Sequence, residues 1–270
     1  MNGHATRSAQ VLRHRADQTD WATDEVICER PVAMVFNGIS HAVMMATPTE
    51  LEDFGLGFAL SEGLIATPAD CHDIELHDSD MGTEVRMQIS QRAFAALQAH
   101  RRTLSGRTGC GLCGLDSLQT LQGQLPEPIS RSGRPANPSA DLILQAMGAL
   151  QARQALQTDT GGCHAAAWAD LKGEVQLVCE DVGRHNALDK LIGKLARSPW
   201  APDQGFVVIT SRASHELVSK CARIGIGTLA AISAPTSMAI DLAFSTGLAL
   251  YGFCRGDQAV HYTARLKTDC

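Results

Sequence analysis

From Thr160 to the C-terminus, short apolar runs alternate with helical patterns, and this alternation restricts the fold more than any other feature. The apolar runs are nearly continuous, which is typical of strands buried on both faces of a sheet. Helices joining such strands cover the two faces, so the pattern predicts an α/β fold with a largely parallel sheet. We expect strands at 164–169, 175–179, 206–209, 229–233, 248–253 and 259–263, and helices at 186–196, 214–224 and 236–245.

The first half of the chain has a different pattern. Residues 1–24 lack periodicity, and we predict a mobile N-terminal tail there. Asn37-Gly38 stands between alternating apolar residues, which is the sequence of a tight β-hairpin. Thr49 and Glu52 match a capping box at the start of an apolar helix. The predicted elements are a hairpin of 32–36 with 41–45, a helix ending near Gly63, strands at 73–77 and 85–89, and a helix at 92–100.

A proline-rich segment separates the two halves. Four prolines lie within residues 124–139, so we predict a linker without regular structure. Ser139 is placed to cap a long helix over 141–156. The predicted organisation is therefore a smaller α+β region at 25–123, the linker, and an α/β core at 140–270.

Charge and hydropathy limit the possible partners. The net charge is −6 and the pI about 5.9, which argues against broad attraction to nucleic acid or to an anionic membrane surface. No apolar stretch approaches the roughly 18 residues that a membrane span needs, and the N-terminus has no signal-peptide pattern. We expect a cytoplasmic protein that binds neither nucleic acid nor membrane.

Three predicted strand-to-helix turns carry small hydroxyl residues and arginines. In an α/β sheet such turns meet at the carboxyl edge, where helix N-termini and forked cations can hold phosphate groups. The simpler reading is that Ser214 and Thr236 only cap helices, while Arg184 pairs with Asp181 or Asp189. Because three such turns share one edge, we predict a site for a nucleotide-like ligand. Its candidate residues are Arg184, His185, Ser211, Arg212 and Ser214.

Neither a P-loop nor a G-x-G-x-x-G motif follows any predicted strand, which argues against an ordinary NTPase or NAD enzyme. His164 and His185 lie in loops near the predicted edge. A lone histidine is more often structural than catalytic, although a neighbouring nucleophilic cysteine would change that reading.

The other candidate for chemistry is Cys110-Gly-Leu-Cys113. Glycines surround the pair just before a helical pattern, and the N-terminus of a helix stabilises a thiolate. Half of a zinc site and two buried apolar residues are the alternatives. The remaining seven cysteines stand singly, mostly in apolar contexts, and are expected to pack in the interior.

Taken together, these segments resemble the FdhD family, the accessory sulfurtransferases that active formate dehydrogenases need. The most specific match is Glu180-Asp-Val-Gly-Arg-His-Asn-Ala-Leu-Asp-Lys190. Other matches are Glu29-Arg-Pro31, Leu56-Gly-Phe-Ala-Leu-Ser-Glu-Gly63, Cys110-Gly-Leu-Cys113-Gly, Thr160-Gly-Gly162 with His164-Ala-Ala, Ser211-Arg-Ala-Ser214 with Glu216-Leu-Val, and Ser233-Ala-Pro235.

The resemblance implies a cytidine-deaminase-like three-layer core with a smaller additional domain, usually in a homodimer. Family members take sulfur from a cysteine desulfurase and pass it to the bis-molybdopterin guanine dinucleotide cofactor, with molybdenum or tungsten, of formate dehydrogenase. By position, Cys110 matches the persulfide-bearing cysteine and Cys113 its companion. The stretch Phe253-Cys254-Arg255-Gly256-Asp257-Gln258 matches the cofactor-contacting segment, although Gln258 replaces a residue that is often basic.

Two other functions compete with this one. A zinc deaminase needs H/C-x-E and P-C-x-x-C, but Gly109 precedes Cys110, and Glu29 follows Cys28 one residue too early. With a third metal ligand and the acid/base glutamate both missing, we predict no metal site. The second alternative is a non-catalytic chaperone that binds the molybdenum cofactor and delivers it to formate dehydrogenase.

Overall fold

The computed structural model describes residues 4–105, 126–129 and 137–264, with the side chains of 100–105 left aside. Within these ranges there are twelve β-strands and seven α-helices. The strands are β1 (Thr6–His14), β2 (Thr19–Ile27), β3 (Arg30–Phe36), β4 (Ile39–Ala46), β5 (Cys71–Ser79), β6 (Gly82–Ile89), β7 (His164–Asp170), β8 (Val175–Asp181), β9 (Gly205–Ile209), β10 (Thr228–Ala231), β11 (Ala249–Arg255) and β12 (Gln258–His261). The helices are α1 (Leu51–Ser61), α2 (Gln91–Ser105), α3 (Ala140–Ala152), α4 (Ala155–Thr160), α5 (Arg184–Ala196), α6 (His215–Ile224) and α7 (Ser237–Thr246).

The second half forms a six-stranded sheet with the order β12-β11-β10-β9-β7-β8. The prediction of a largely parallel sheet is wrong, because only β9 with β10 and β10 with β11 pair in parallel. β7 runs antiparallel to both β8 and β9, and β12 runs antiparallel to β11. The reason is connection length: β7 and β8 are joined by a turn at Gly173 (φ 79°), whereas a parallel pair needs a crossover of a dozen or more residues.

Helices cover both faces of this sheet, as predicted. Ile143, Met147 and Leu150 of α3 pack on one face, against Phe206, Val208 and their neighbours. Helices α5, α6 and α7 pack on the other face. The arrangement has three layers, α/β/α, while the further likeness to cytidine deaminases stays a prediction.

The first half forms a four-stranded sheet with the order β4-β3-β6-β5. Its β3–β4 hairpin confirms the prediction from Asn37-Gly38, and both residues adopt the positive φ angles (47° and 81°) that a type I′ turn needs. Strands β5 and β6, helix α2 and helix α1 also form where the sequence predicts them.

Helix α1 joins this sheet to the large one by lying directly on α5. A Cβ atom on Gly57 would lie 1.7 Å from the carbonyl oxygen of Asp189, and one on Gly193 would lie 1.9 Å from that of Asp53. Glycine is therefore required at both positions. One continuous apolar core runs from the small sheet through α1 to α5–α7. The predicted linker at 124–139 is described only at 126–129 and 137–139, so the division into domains stays a prediction.

Three local predictions need correction. The lack of regular structure expected for residues 1–24 is wrong, because β1 and β2 form an antiparallel hairpin there. The predicted capping box is also wrong: Glu50 is the N-cap of α1 and makes no side-chain cap, while the Thr49 hydroxyl contacts Lys190. The predicted long helix is two helices, α3 and α4, because the Glu180 carboxylate accepts hydrogen bonds from the Leu156 and Gln157 N–H groups in the first turn of α4.

Within the described ranges, no helix combines the length and apolar character that crossing a membrane requires.

Candidate functional site

The predicted polar turns do meet at one edge of the large sheet. Strands β8, β9, β10 and β11 all end there, and β7, which runs the other way, begins there with His164 opposite Asp181. We call the candidate residues at this edge the carboxyl edge: Arg184, His185, Ser211, Arg212 and Ser214.

Backbone hydrogen bonds tie the loops of this edge into one surface. Thr236 N–H donates to the Ala213 carbonyl (3.0 Å), and Phe253 N–H donates to the Ser233 carbonyl (3.1 Å). Thr210 N–H likewise donates to the Ala165 carbonyl at the start of β7 (3.0 Å). The loops after β9, β10 and β11 are thus held in fixed relative positions, as a preformed binding surface needs.

A buried aspartate shapes the turn that carries Arg184 and His185. The Asp181 carboxylate accepts hydrogen bonds from Gly183 N–H (2.8 Å) and from the Asn186 amide (2.9 Å). Arg184 and His185 stay half-buried between these two anchors. The alternative in which Arg184 pairs with an aspartate is wrong, since Asp181 pairs with Lys190 (2.7 Å) and Asp189 pairs with Lys220 (2.9 Å).

Two histidines and a glutamate lie beside Arg184. His185 Nε2 lies 2.6 Å from a carboxylate oxygen of Glu216, and this contact holds the pKa of Glu216 below its usual 4.5. Burial lowers the pKa of His164, and the positive charges of Arg184 and His185 lower it further. The side chains of His164, Arg184 and His185 are therefore close enough to share one electrostatic environment.

The two predicted helix caps differ from each other. The Thr236 hydroxyl accepts a hydrogen bond from Ala239 N–H (3.3 Å), so the simple capping reading is correct for α7. Ser214 stands at the same position before α6, yet its hydroxyl caps nothing. That oxygen is buried and has no hydrogen-bond partner among the described residues. The capping reading is therefore wrong for Ser214.

Ser211 and Arg212 complete the loop after β9. The Ser211 hydroxyl donates to the Arg212 carbonyl (3.0 Å), and the Arg212 side chain is exposed. Arg212 can therefore reach an anion without breaking a side-chain hydrogen bond or ion pair to the part of the chain that the structure describes.

The segment 253–258 lies at the same edge, at the end of β11. Phe253 has a left-handed backbone (φ 52°), which is unusual for an aromatic residue and occurs within an irregular stretch of the β11–β12 pairing. Arg255 lies 6.0 Å from the Phe253 ring. Gly256, Asp257 and Gln258 are exposed, whereas the Cys254 side chain is buried in the core facing α3.

Five of the six described cysteines are poor nucleophiles. Burial raises the pKa of the Cys163, Cys221 and Cys254 thiols to about 12, and it also raises the pKa of Cys71 and Cys179. At neutral pH these thiols stay protonated. Cys110 and Cys113 lie outside the described residues.

A cavity that sequence reasoning missed opens beside the carboxyl edge. Its volume is about 610 Å³, and its lining includes Gln154, Gln157, His164, Thr210 and Ile232. The available signal was the repeat of Gln151, Gln154 and Gln157 at a spacing of three residues, although the break between α3 and α4 at Gln154 is not visible in the sequence. Among the described residues, no group of three or more His, Cys, Asp or Glu side chains is arranged to hold a metal ion.

Comparison with known proteins identifies the family. The chain is 53% identical over 259 residues to the sulfur carrier protein FdhD of Chromobacterium violaceum, covering 95% of each chain. It is 49% identical to the protein of the same name from Bordetella petrii, over 94% of this chain and 91% of the relative. A crystal structure from Desulfotalea psychrophila, described as a candidate formate dehydrogenase accessory protein, has the same fold. Its TM-score is 0.73 at 22% identity, over 97% of this chain and 98% of that one. The model of the FdhD/NarQ family matches residues 27–268, and the chain belongs to this family.

Proposed function

We propose that this protein is a sulfurtransferase that carries persulfide sulfur on Cys110 and delivers it to the bis-molybdopterin guanine dinucleotide cofactor of a formate dehydrogenase. The observation that carries the proposal is the near full-length similarity, at about half identity, to proteins named sulfur carrier protein FdhD. A cysteine desulfurase is the proposed sulfur donor. A cytoplasmic homodimer is the proposed working form, and the metal of the cofactor is molybdenum or tungsten.

The reactivity of the described cysteines supports Cys110 as the carrier. Five of those cysteines have thiol pKa values raised by burial, so they are poorly placed to react as thiolates. Cys110 and Cys113 follow a run with Arg101, Arg102 and Arg107, whose positive charges favour a thiolate. The C-x-x-C pair is therefore the best candidate in the chain for sulfur exchange.

The proposed reaction has two steps. The Cys110 thiolate attacks the terminal sulfur of the desulfurase persulfide; a new S–S bond forms, and the desulfurase thiolate leaves. The outer sulfur then moves to the metal of the cofactor, which is the acceptor substrate. Either the Cys110 thiolate departs with the electron pair of the S–S bond and the acceptor metal supplies two electrons to the transferred sulfur, or Cys113 attacks Cys110, forms a disulfide and releases the outer sulfur as sulfide with its two electrons.

The carboxyl edge is the proposed docking surface for the anionic part of the cofactor. Arg184 and Arg212 can pair with diphosphate oxygens, and the unpartnered Ser214 hydroxyl can donate to one of them. The segment 253–258 extends this surface along the same edge. Arg255 supplies a further cation, and Cys254 contributes only its backbone to the bend at the end of β11. This surface would hold the cofactor in place while sulfur is delivered.

Complementation tests the proposal in cells. In a bacterium whose own FdhD gene is deleted, the wild-type chain should restore formate dehydrogenase activity, and Cys110→Ala should not. Cys71→Ser is the matched control, because Cys71 is a half-buried cysteine with a raised pKa, and it should restore activity fully. Full activity with Cys110→Ala would overturn the sulfur-transfer proposal and favour a cofactor chaperone.

A further inference from the structure

The β1–β2 hairpin exposes an apolar pair of side chains in its outer half. Leu12 and Trp21 lie directly opposite each other on the two strands, and they are 44% and 72% exposed. At its base the hairpin packs against α4, and a Cβ atom on Gly162 would lie 3.1 Å from the Ile27 side chain. In the part of the chain that the structure describes, β1 and β2 pair only with each other. An isolated two-stranded hairpin is marginally stable in water, so a covering surface would stabilise its outer half.

The two faces of this outer half differ in charge. On the face that carries the apolar pair, the Gln10 amide donates to the Thr23 hydroxyl (2.8 Å), and the His14 ring hydrogen-bonds to the Thr19 hydroxyl (3.1 Å). We call these four residues and the apolar pair the hairpin face. The charged residues of the outer half lie on the opposite face: Arg13, Asp20 and Asp24. Because the polar groups of the hairpin face are already paired, burying this face costs little free energy.

The small sheet carries a second exposed apolar surface, on the face turned away from α1 and the core. Val43 and Met45 of β4 are 58% and 48% exposed, and they lie opposite Ala33 and Pro31 of β3. We call these four residues the sheet patch. Only two residues separate β2 from β3, so the hairpin leaves the small sheet close to this patch. Each chain therefore has an apolar arm and an apolar patch that its own fold leaves exposed.

Charge favours a second copy of this chain as the partner of these two surfaces. The hairpin face and the sheet patch both lack Asp, Glu, Lys and Arg. If the hairpin of each copy lies on the patch of the other, two-fold symmetry repeats the same contact, and no like charges meet. The charges on the opposite side of the hairpin, such as the Arg13–Asp24 pair (3.8 Å), stay in water.

The area of such a contact also fits a dimer. The outer part of the hairpin, residues 9–24, is about 25 Å long and about 12 Å wide, so one of its faces covers about 300 Å². Two contacts of this size, counted on both copies, bury about 1,200 Å², which is the lower limit for stable protein–protein interfaces. Two hairpins that packed only against each other would bury about half as much, which is typical of incidental crystal contacts. The exchanged arrangement is therefore favoured over packing of hairpin on hairpin.

We infer that the β1–β2 hairpin is an arm that binds a second copy of the chain, with Trp21 of each copy seated on Val43 and Met45 of the other. The homodimer itself belongs to the proposed function, so the inference rests on that part of it and names the surface that forms the dimer. Trp21 is the expected anchor, because large aromatic side chains contribute much of the binding free energy of protein interfaces.

Sedimentation velocity of the full chain over a range of concentrations tests this inference. Trp21→Ser removes the anchor from an exposed position, so the fold should survive. We expect the dissociation constant of the dimer to rise about tenfold or more. The matched control is Phe244→Ser, which removes a 45% exposed aromatic side chain of α7 that belongs to neither surface. This control should leave the dissociation constant unchanged.

A pair of charged substitutions tests the contact itself. Val43→Lys puts a charge into the sheet patch at an exposed position, and Trp21→Glu puts the opposite charge into the hairpin face. Each substitution alone should weaken the dimer. The double variant brings the two charges together in both contacts, so it should dimerise more tightly than either single variant. Val43→Lys also keeps the test valid if Trp21→Ser unfolds, which a thermal scan would reveal.

The outcomes distinguish this inference from the proposed function. A dimer that is unchanged by Trp21→Ser and by Val43→Lys would overturn the inference and leave the proposed homodimer with another interface. A wild type that remains monomeric would overturn both the inference and the homodimer, even if a cysteine desulfurase then bound in a manner that depends on Trp21. Persulfide formation on Cys110 tests sulfur transfer independently of the dimer.

Discussion

Two polar regions lie close together in this protein, and they are built in opposite ways. The first, which we call the polar seam, consists of the buried pairs Asp181–Lys190 and Asp189–Lys220 with Thr47 and Ser61, where α1 and the small sheet meet α5 and α6. The second is the carboxyl edge. In the seam every charge has a partner, whereas the edge holds the exposed Arg212, the half-buried Arg184 and a buried Ser214 hydroxyl without a partner among the described residues.

The seam satisfies its charges completely. Lys190 is fully buried and contacts Asp181 at 2.7 Å, and it also donates to the Thr47 carbonyl (2.9 Å). Burial lowers the pKa of Lys220, but the Asp189 and Glu62 carboxylates more than offset this and raise its pKa above the usual 10.5. These side chains join the two sheets. Because their charges and hydrogen-bonding groups are already paired with one another, they are not available to bind a ligand.

The most specific sequence motif, residues 180–190, has two parts with different roles. In the segment 180–190, Asp181, Asn186, Asp189 and Lys190 are buried and structural. Arg184 and His185, by contrast, are half-buried and lie at the carboxyl edge. A single motif therefore encodes both the joint between the sheets and two of the five residues of the carboxyl edge.

The largest expected loss of unfolding free energy comes from a substitution in the polar seam. Asp181→Asn keeps the shape of the side chain but leaves the Lys190 charge buried without its counter-ion, so we expect a loss of about 3–5 kcal/mol of unfolding free energy in urea. The exposed pair Arg86–Glu84, at 2.6 Å, is the control, and Arg86→Gln should cost less than about 1 kcal/mol. Similar small losses for both variants would contradict the role assigned to the seam.

A moderate effect is expected at the α7 cap. Thr236→Ala removes the hydroxyl that accepts from Ala239 N–H, so it should cost about 1 kcal/mol of unfolding free energy. Urea unfolding of the variant and the wild type, measured side by side, gives this value. No loss would mean that the cap contributes nothing to stability.

A still smaller effect on stability is expected at Ser214, the matched position before α6. Because its hydroxyl has no partner to lose among the described residues, Ser214→Ala should stay within about 0.5 kcal/mol of the wild type. The same change should weaken GDP binding in calorimetry, since the hydroxyl is available to a phosphate. A stability loss as large as that of Thr236→Ala would show that Ser214 is an ordinary cap.

The smallest effect concerns pH. The His185 contact lowers the pKa of Glu216, so its contribution to stability is present above pH 4.5 and is lost as the pH falls through the lowered pKa. In His185→Gln the Glu216 carboxyl should titrate closer to 4.5, which carbon-detected NMR of the glutamate side chains can follow. An unchanged Glu216 titration in His185→Gln would show that the two side chains do not interact in solution.

Much of this architecture is predictable from sequence, because the signals are local. Asn37-Gly38 predicts its hairpin through the positive φ angles of the turn, and the buried strands 206–209 and 229–233 are apparent from their apolar runs. The shared edge of the polar turns follows from strand order. The predicted parallel sheet is wrong because the four-residue connection between β7 and β8 is long enough only for an antiparallel hairpin.

Other features depend on contacts between distant residues. Asp181 meets Thr47 across more than a hundred residues, and no local pattern shows whether it pairs with Arg184 or with Lys190. The hairpin at the N-terminus has charged and polar side chains on both faces, so its strands carry little periodicity. That the Ser214 hydroxyl lacks a partner among the described residues is likewise visible only once neighbouring elements are in place.

Intact mass spectrometry with peptide mapping tests the central claim most directly. The purified chain is incubated with a cysteine desulfurase and free cysteine in the absence of reductant, and then digested. The proposed function predicts the gain of one sulfur atom, removable by dithiothreitol, on the peptide that contains Cys110. No added sulfur, or sulfur on the peptides of other cysteines alone, would contradict it.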